Sequence, residues 1–262
     1  DFTIDVAMPA NPTEGPLPVI YVMDGNLMLP LVANTARALE FGQEIPPAII
    51  VGIGYTVDFG AEVIKLRTRD LTPTKVDAMP GQADGEEPLA TGGASAFLDF
   101  IAHQVKPFIA ANYNVDGDDA TLAGDSFGGI FTLYALFNRP DEFNRYIVGS
   151  PSLWWDNGML FDAEEALSDR LEDLDKDIFL SVGALEEDAA NPNDKDGMIS
   201  NMKRMAKRLR ERNYESLRLT EHIFEGETHL SVIPATFSRG LRAVFAPDMA
   251  AARAGKAAAA QE

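Results

Sequence analysis

The sequence predicts an α/β fold, a mostly parallel central sheet with helices on both faces. Three observations predict it. Strand-length apolar runs alternate with helical patterns along nearly the whole chain. Two of the runs, PVIYVMD (18–24) and AIIVGIGY (48–55), are apolar throughout, as strands covered on both faces must be. Residues 120–138 read as a strand that turns directly into a helix, with a serine between glycines at the turn.

The elements follow in order. FTIDVAMP (2–9) reads as the first strand, PVIYVMD as the second and AIIVGIGY as the third. A helical pattern near 31–41 joins the last two, and another spans 94–112. ATLAGD (120–125) is the next strand and 127–138 the helix after it. NRYIVGS (144–150), DIFLSVG (177–183) and LRLTEHIF (217–224) complete the strands, with helical patterns at 197–213 and 231–246. Residues 71–95 are rich in Pro, Gly, Asp and Thr and carry no period, so they read as a long loop at the rim of a pocket. Residues 1–250 are therefore expected to form one domain, followed by an Ala-rich tail at 251–262 that extends the last helix or frays.

Composition narrows the function classes. Acidic residues number 41 against 22 basic, a net charge of −19. Such a surface repels nucleic acid and anionic lipid, and it suits a salt-tolerant protein. No apolar run approaches the roughly 18 residues of a membrane-spanning helix. The absence of cysteine excludes disulfides, thiolate metal sites and a thiol nucleophile. It leaves the compartment open, cytoplasmic or periplasmic and secreted alike. The chain begins without Met inside a strand-like run, which reads as a trimmed N-terminus.

Gly124-Asp125-Ser126-Phe127-Gly128 fits G-x-S-x-G in the strand-then-helix context that gives the pattern meaning. The turn forces the serine into strained backbone geometry and thrusts its hydroxyl clear of the sheet. Side chains two residues to either side would collide there, and Gly129 lets the helix approach the strand. A phosphate cradle would need a Lys or another glycine spacing.

A serine hydroxyl needs a base to become a nucleophile. The chain has three histidines. His103 falls toward the polar side of its helix, and His222 lies inside a strand. His229 follows the last strand in a polar, glycine-containing loop, just before the final helix. That position lies beyond the carboxyl ends of the strands, where an open α/β sheet builds its site. The acid is expected after the penultimate strand, in LEED. Glu186, Glu187 and Asp188 are all candidates, and Glu186 stands nearest the strand end.

With these pieces in place the chain resembles the Putative esterase family of α/β hydrolases, which includes enterobactin-type siderophore esterases and bacterial carboxylesterases. The matching segments are LPVIYVMDGN, VGIGY, RTRDLTP, FLDFIAHQVKPFIAANY, LAGDSFGG, FNRYIVGSPSLWWDN, SVGALEED and GETHLSVIP, in the family's order. The resemblance implies an α/β-hydrolase fold with Ser126 as nucleophile, His229 as base and an acid at or near Glu186. It implies an oxyanion hole made by the backbone N–H groups of Asn26 and Phe127. It also places Trp154 and Trp155 near the pocket, Trp155 being the ring expected against the substrate. Arg69 is expected at the pocket edge, either on the substrate or paired with Asp70 to hold the long loop. A first edge strand found in typical members is expected to be missing.

The leading expectation is a serine carboxylesterase that needs no metal or cofactor and acts on a small-molecule ester. A siderophore trilactone esterase is the alternative, with an acyltransferase behind it and a non-catalytic binding protein of the same fold last. The −19 charge weighs against an anionic siderophore, unless Lys65, Arg67 and Arg69 form a local basic cluster.

Overall fold

Period-two alternation in the strands sorts the core into two layers. Val19, Tyr21, Val51, Leu122, Val148 and Leu180 point to one face, and Ile20, Val22, Ile50, Ala123, Ile147 and Phe179 to the other. The computed structural model describes residues 1–11, 14–57, 60–77, 88–187 and 197–259, the last four as backbone alone. Its strands are β1 (Phe2–Ala7), β2 (Leu17–Val22), β3 (Ile49–Tyr55), β4 (Val115–Asp125), β5 (Arg145–Gly149), β6 (Asp177–Gly183) and β7 (Arg218–Phe224). Among the described residues they form a seven-stranded sheet in the order β1-β3-β2-β4-β5-β6-β7. Only β1 runs antiparallel to its neighbour.

Helices α1 (Gly25–Phe41) and α8 (Ile233–Val244) cover the second face. The first face is covered by α3 (Ala94–Phe100), α4 (Lys106–Asn112), α5 (Phe127–Asn138), α6 (Met159–Ser168) and α7 (Met198–Glu211). Helix α2 (Ala61–Leu71) packs beside α3 and α5, and α9 (Ala246–Ala259) carries the tail onward from α8.

Three helices differ from the sequence reading, each for a physical reason. Helix α1 begins at Gly25, before Pro30, because its first turn is held by the end of β3 through Asn26. Helix α2 was not expected, since its buried side includes Thr68 and Asp70 and so shows no clean apolar period. Helix α6 was not expected either: its buried face contains Glu164, a carboxylate made tolerable by Arg208 and Arg212 at 2.7 and 2.8 Å. The expected helix at 94–112 contains a π turn at Ile101–Val105, just before Pro107, which has no N–H to donate.

The strand order fixes where a site can form. From β2 the chain moves to β3 on one side, then returns across β2 to β4 on the other. Helix α1 follows β2 onto one face, and α5 follows β4 onto the opposite face. The carboxyl ends of β2 and β4 therefore open a crevice at the point where the order reverses.

Candidate active site

Ser126 stands at that crevice. It joins β4 to α5 with φ 60° and ψ −116°, a conformation rare for a residue with a Cβ and costing about 1–3 kcal/mol. Its N–H donates to the Gly149 carbonyl at 3.0 Å, and its carbonyl accepts from Ile130 in the first turn of α5. The turn is possible because Gly124 has no side chain: a Cβ there would lie 2.3 Å from the Gly128 carbonyl oxygen. Gly129 is as constrained, since its Cβ would lie 2.4 Å from the Gly149 carbonyl oxygen.

Glu186 and His229 meet beyond the ends of β6 and β7. His229 Nδ1 lies 2.6 Å from Glu186 Oε2. The other carboxylate oxygen, Oε1, accepts from Ser150 Oγ and from the Gly183 N–H, both at 2.6 Å. The Glu186 side chain is 1% exposed and the His229 ring 41%, so the acid is enclosed while the ring reaches the surface. Burial alone would raise the Glu186 carboxyl. The hydrogen bonds from His229, Ser150 and Gly183 outweigh burial and hold it below the ordinary carboxylate value. His229 is raised above the usual histidine value, first by its hydrogen bond to Glu186, against burial, and then by the charges of Asp125 and Glu186. Glu187 is turned away, accepting the Ser200 N–H at the start of α7 at 2.6 Å. Asp188 lies outside the described residues.

Asn26 and Phe127 occupy the first turns of α1 and α5, where a backbone N–H has no acceptor within its own helix. The Asn26 side chain is committed elsewhere: it accepts the Tyr55 N–H at 2.6 Å and donates to the Tyr55 and Val57 carbonyls. Only its main chain is free to serve a substrate. Two residues earlier, Asp24 is buried in left-handed geometry with φ 55° and ψ 44°. Arg67 holds it in a bidentate pair at 2.8 and 2.9 Å, and the same guanidinium lies 5.3 Å from the Phe127 ring centroid. One arginine thus braces both helix starts.

One expected pocket residue sits differently from the sequence reading. Trp155 is buried in the core, with its indole N–H on Thr74 Oγ1 at 3.0 Å and its ring edge-on to Phe127. The partly exposed ring beside Phe127 is Trp154, 6.3 Å away. Arg69 makes a bidentate pair with Asp70 at 2.7 and 2.8 Å, which leaves its guanidinium engaged with its neighbour. The described ends of the long loop are fastened by threonines: Thr72 takes the Gly92 N–H and Thr91 the Val76 N–H. His103 is exposed on its helix, and His222 packs on Phe224 in the edge strand β7.

Ser150 is a contributor that the sequence reading missed. It is fully buried with φ 37° and fixes Glu186, yet in GSPSLWW nothing distinguishes it from Ser152. The sequence offers Arg67 only as part of a local basic cluster, and no local pattern ties it to Asp24, 43 residues away.

The Putative esterase family matches residues 1–243. The chain belongs to that family. It is 33% identical to the ferri-bacillibactin esterase of Bacillus subtilis over 94% of this chain and 86% of that protein. It is 32% identical to the siderophore triacetylfusarinine C esterase of Aspergillus fumigatus over 88% of this chain and 82% of that one. Among solved structures it superposes on the BES protein from Bacillus cereus with a TM-score of 0.81, at 32% identity, covering 93% of this chain and 90% of that one. The fold is that of the α/β-hydrolase esterases, and the protein is an esterase of the serine hydrolase class. No helix among the described residues is long and apolar enough to cross a membrane.

Proposed function

We propose that this protein hydrolyses the ester bonds of a siderophore through an acyl-enzyme formed on Ser126. The observation that carries the chemistry is the Glu186–His229 contact of 2.6 Å, made beyond the same strand ends that present the strained Ser126. Glu186 holds Nδ1 protonated and leaves Nε2 as the base. Ser126 Oγ attacks the ester carbonyl as His229 takes its proton. The N–H groups of Asn26 and Phe127 receive the oxyanion, each worth about 3 kcal/mol in a hole of this type. His229 then protonates the leaving alcohol, and water repeats the sequence in reverse to release the acid. Residues 1–250 act as one domain, the long loop being tied to the core where Thr74 accepts the Trp155 indole N–H.

The substrate class is supported by the relatives, and they reverse the order the sequence alone suggested. Simple carboxylic esters become the second reading. The three cations of α2 favour neither, because each has a carboxylate: Lys65 has Glu62, Arg67 has Asp24 and Arg69 has Asp70. Three exposed side chains next to the site residues are apolar instead. Leu27, Leu185 and Leu230 each adjoin one of Asn26, Glu186 and His229 in the chain.

The test is a comparison of kcat/KM on an iron-loaded and iron-free trilactone catecholate, a triester hydroxamate siderophore and p-nitrophenyl butyrate. Hydrolysis of at least one siderophore is expected to exceed that of the simple ester, and Ser126→Ala to remove at least about a thousandfold of it. Turnover of p-nitrophenyl esters alone would make the protein a simple carboxylesterase.

A further inference from the structure

Asp125 is a buried carboxylate that this mechanism leaves without a task. It ends β4, immediately before Ser126, and is 2% exposed. Its Oδ1 has no hydrogen-bond partner among the described residues. The carboxylate rests on the bare backbone of Gly149: a Cβ there would lie 2.4 Å from Oδ1 and 2.8 Å from Thr236 Cγ2 of α8. The nearby hydroxyls serve other groups. Ser150, next in the chain after Gly149, donates to Glu186, and Thr236 Oγ1 pairs with Ser181 Oγ at 2.8 Å.

Burial without a hydrogen bond is costly for a carboxylate. Asparagine would fill the same volume without that cost, so packing does not explain the acid. The charged groups that act on Asp125 are His229 from the loop before α8, Glu186 from the loop after β6, Arg67 from α2 and Asp24 after β2. Arg67 is already held by both oxygens of Asp24. The remaining cation in this group is an imidazolium on His229. The influence runs both ways: His229 draws the Asp125 carboxyl down against burial, and Asp125, with Glu186, draws His229 up.

We propose that Asp125 is a second carboxylate partner of His229, a positioning residue that, together with Glu186, steadies the imidazolium formed when Ser126 gives up its proton. The proposal rests on Ser126 and His229 being nucleophile and base. In the step itself the proton passes from Ser126 Oγ to His229 Nε2 and goes no further. Asp125 takes no proton from His229 and, in its ionised form, supplies only its field, from the side of the nucleophile strand, while Glu186 holds Nδ1.

The test reads His229 without any substrate. With three histidines in the chain, the imidazole resonances can be followed by NMR against pH and assigned with His103→Gln and His222→Gln. In the wild-type protein His229 is expected to titrate in two coupled steps. In Asp125→Asn a single step is expected, its midpoint lower by about half a pH unit or more. The kcat of Asp125→Asn is expected to fall about tenfold with KM within about twofold. The residual activity of Glu186→Gln is expected to drop further when Asp125→Asn is added. An unmoved His229 midpoint in Asp125→Asn overturns the proposal. Should that variant not fold, a simple one-step titration of His229 in the wild-type protein overturns it equally. Activity retained in Ser126→Ala would instead sink the mechanism, whatever the titration shows.

Discussion

Replacing Asp125 by asparagine is expected to shift stability in the variant's favour as pH rises. Burial raises the Asp125 carboxyl from 3.8 to about 7, against the pull of His229. A carboxyl raised on folding makes the native state bind more protons than the unfolded chain between those two values, so its contribution to stability falls as pH rises through that window. Above pH 7 the full cost persists. Taking about 1.4 kcal/mol per pH unit, the wild-type protein carries a penalty of about 1 kcal/mol at pH 4.5 and about 4 kcal/mol at pH 8. Asparagine does not ionise, and any cost of its own unpaired amide, about 1–3 kcal/mol, does not vary with pH. The difference between variant and wild type should therefore shift by about 3 kcal/mol in favour of the variant from pH 4.5 to pH 8. Paired urea titrations across that range measure it, since the other titrating groups largely cancel between the two proteins. A difference that stays constant with pH would refute the reasoning, because Asp125 would then be as well solvated when ionised as it is in the unfolded chain.

Two further outcomes follow from the same contacts. Glu186→Gln should lower kcat by about a thousandfold or more, as loss of a triad acid does, while Glu187→Gln should stay within about threefold because it only caps α7; comparable losses in ester turnover would displace Glu186 from its role. Arg67→Met should destabilise the fold by about 3 kcal/mol by stranding the buried Asp24, and should lower kcat more than it raises KM; an unchanged urea midpoint would mean that Asp24 does not depend on it.

How far the sequence could be read depended on the range of the interaction. The inner strands were legible because burial on both faces imposes a local apolar pattern, and DIFLSVG is β6 residue for residue. The places of Ser126, His229 and Glu186 at the carboxyl edge of the sheet were legible because each hangs on a strand end that the pattern locates. What failed was set by distant partners. Glu164 interrupts the apolar face of α6 and is neutralised by Arg208 and Arg212, more than 40 residues on. The choice between Trp154 and Trp155 turned on Thr74 in the long loop, which offers the buried indole its acceptor. Asp125 was in plain sight inside the motif, but only the bare surface of Gly149 beneath it shows that it is unpaired.

The two ends of the sheet divide the work. At the amino-terminal ends of the strands, carboxylates are matched with arginines: Arg145 holds Asp119 and Asp248 and donates to the Val244 carbonyl, and Arg218 holds Asp175 and Asp177. These contacts join β4, β5, β6, β7 and α9. At the carboxyl ends the local terms run the other way. Asp24, Ser126 and Ser150 all sit at positive φ without being glycine, and Asp125 buries a carboxylate oxygen, Oδ1, with no hydrogen-bond partner among the described residues. Each such feature costs about 1–3 kcal/mol and persists only where surrounding structure over-determines it. Their concentration in one crevice, around the residues that present Glu186, His229 and the two helix starts, is what a site selected for reactivity at the expense of local stability would contain. Substitutions that relax this edge are therefore expected to gain stability while losing turnover. Substitutions at the paired edge should lose stability and leave turnover of the remaining folded protein unchanged.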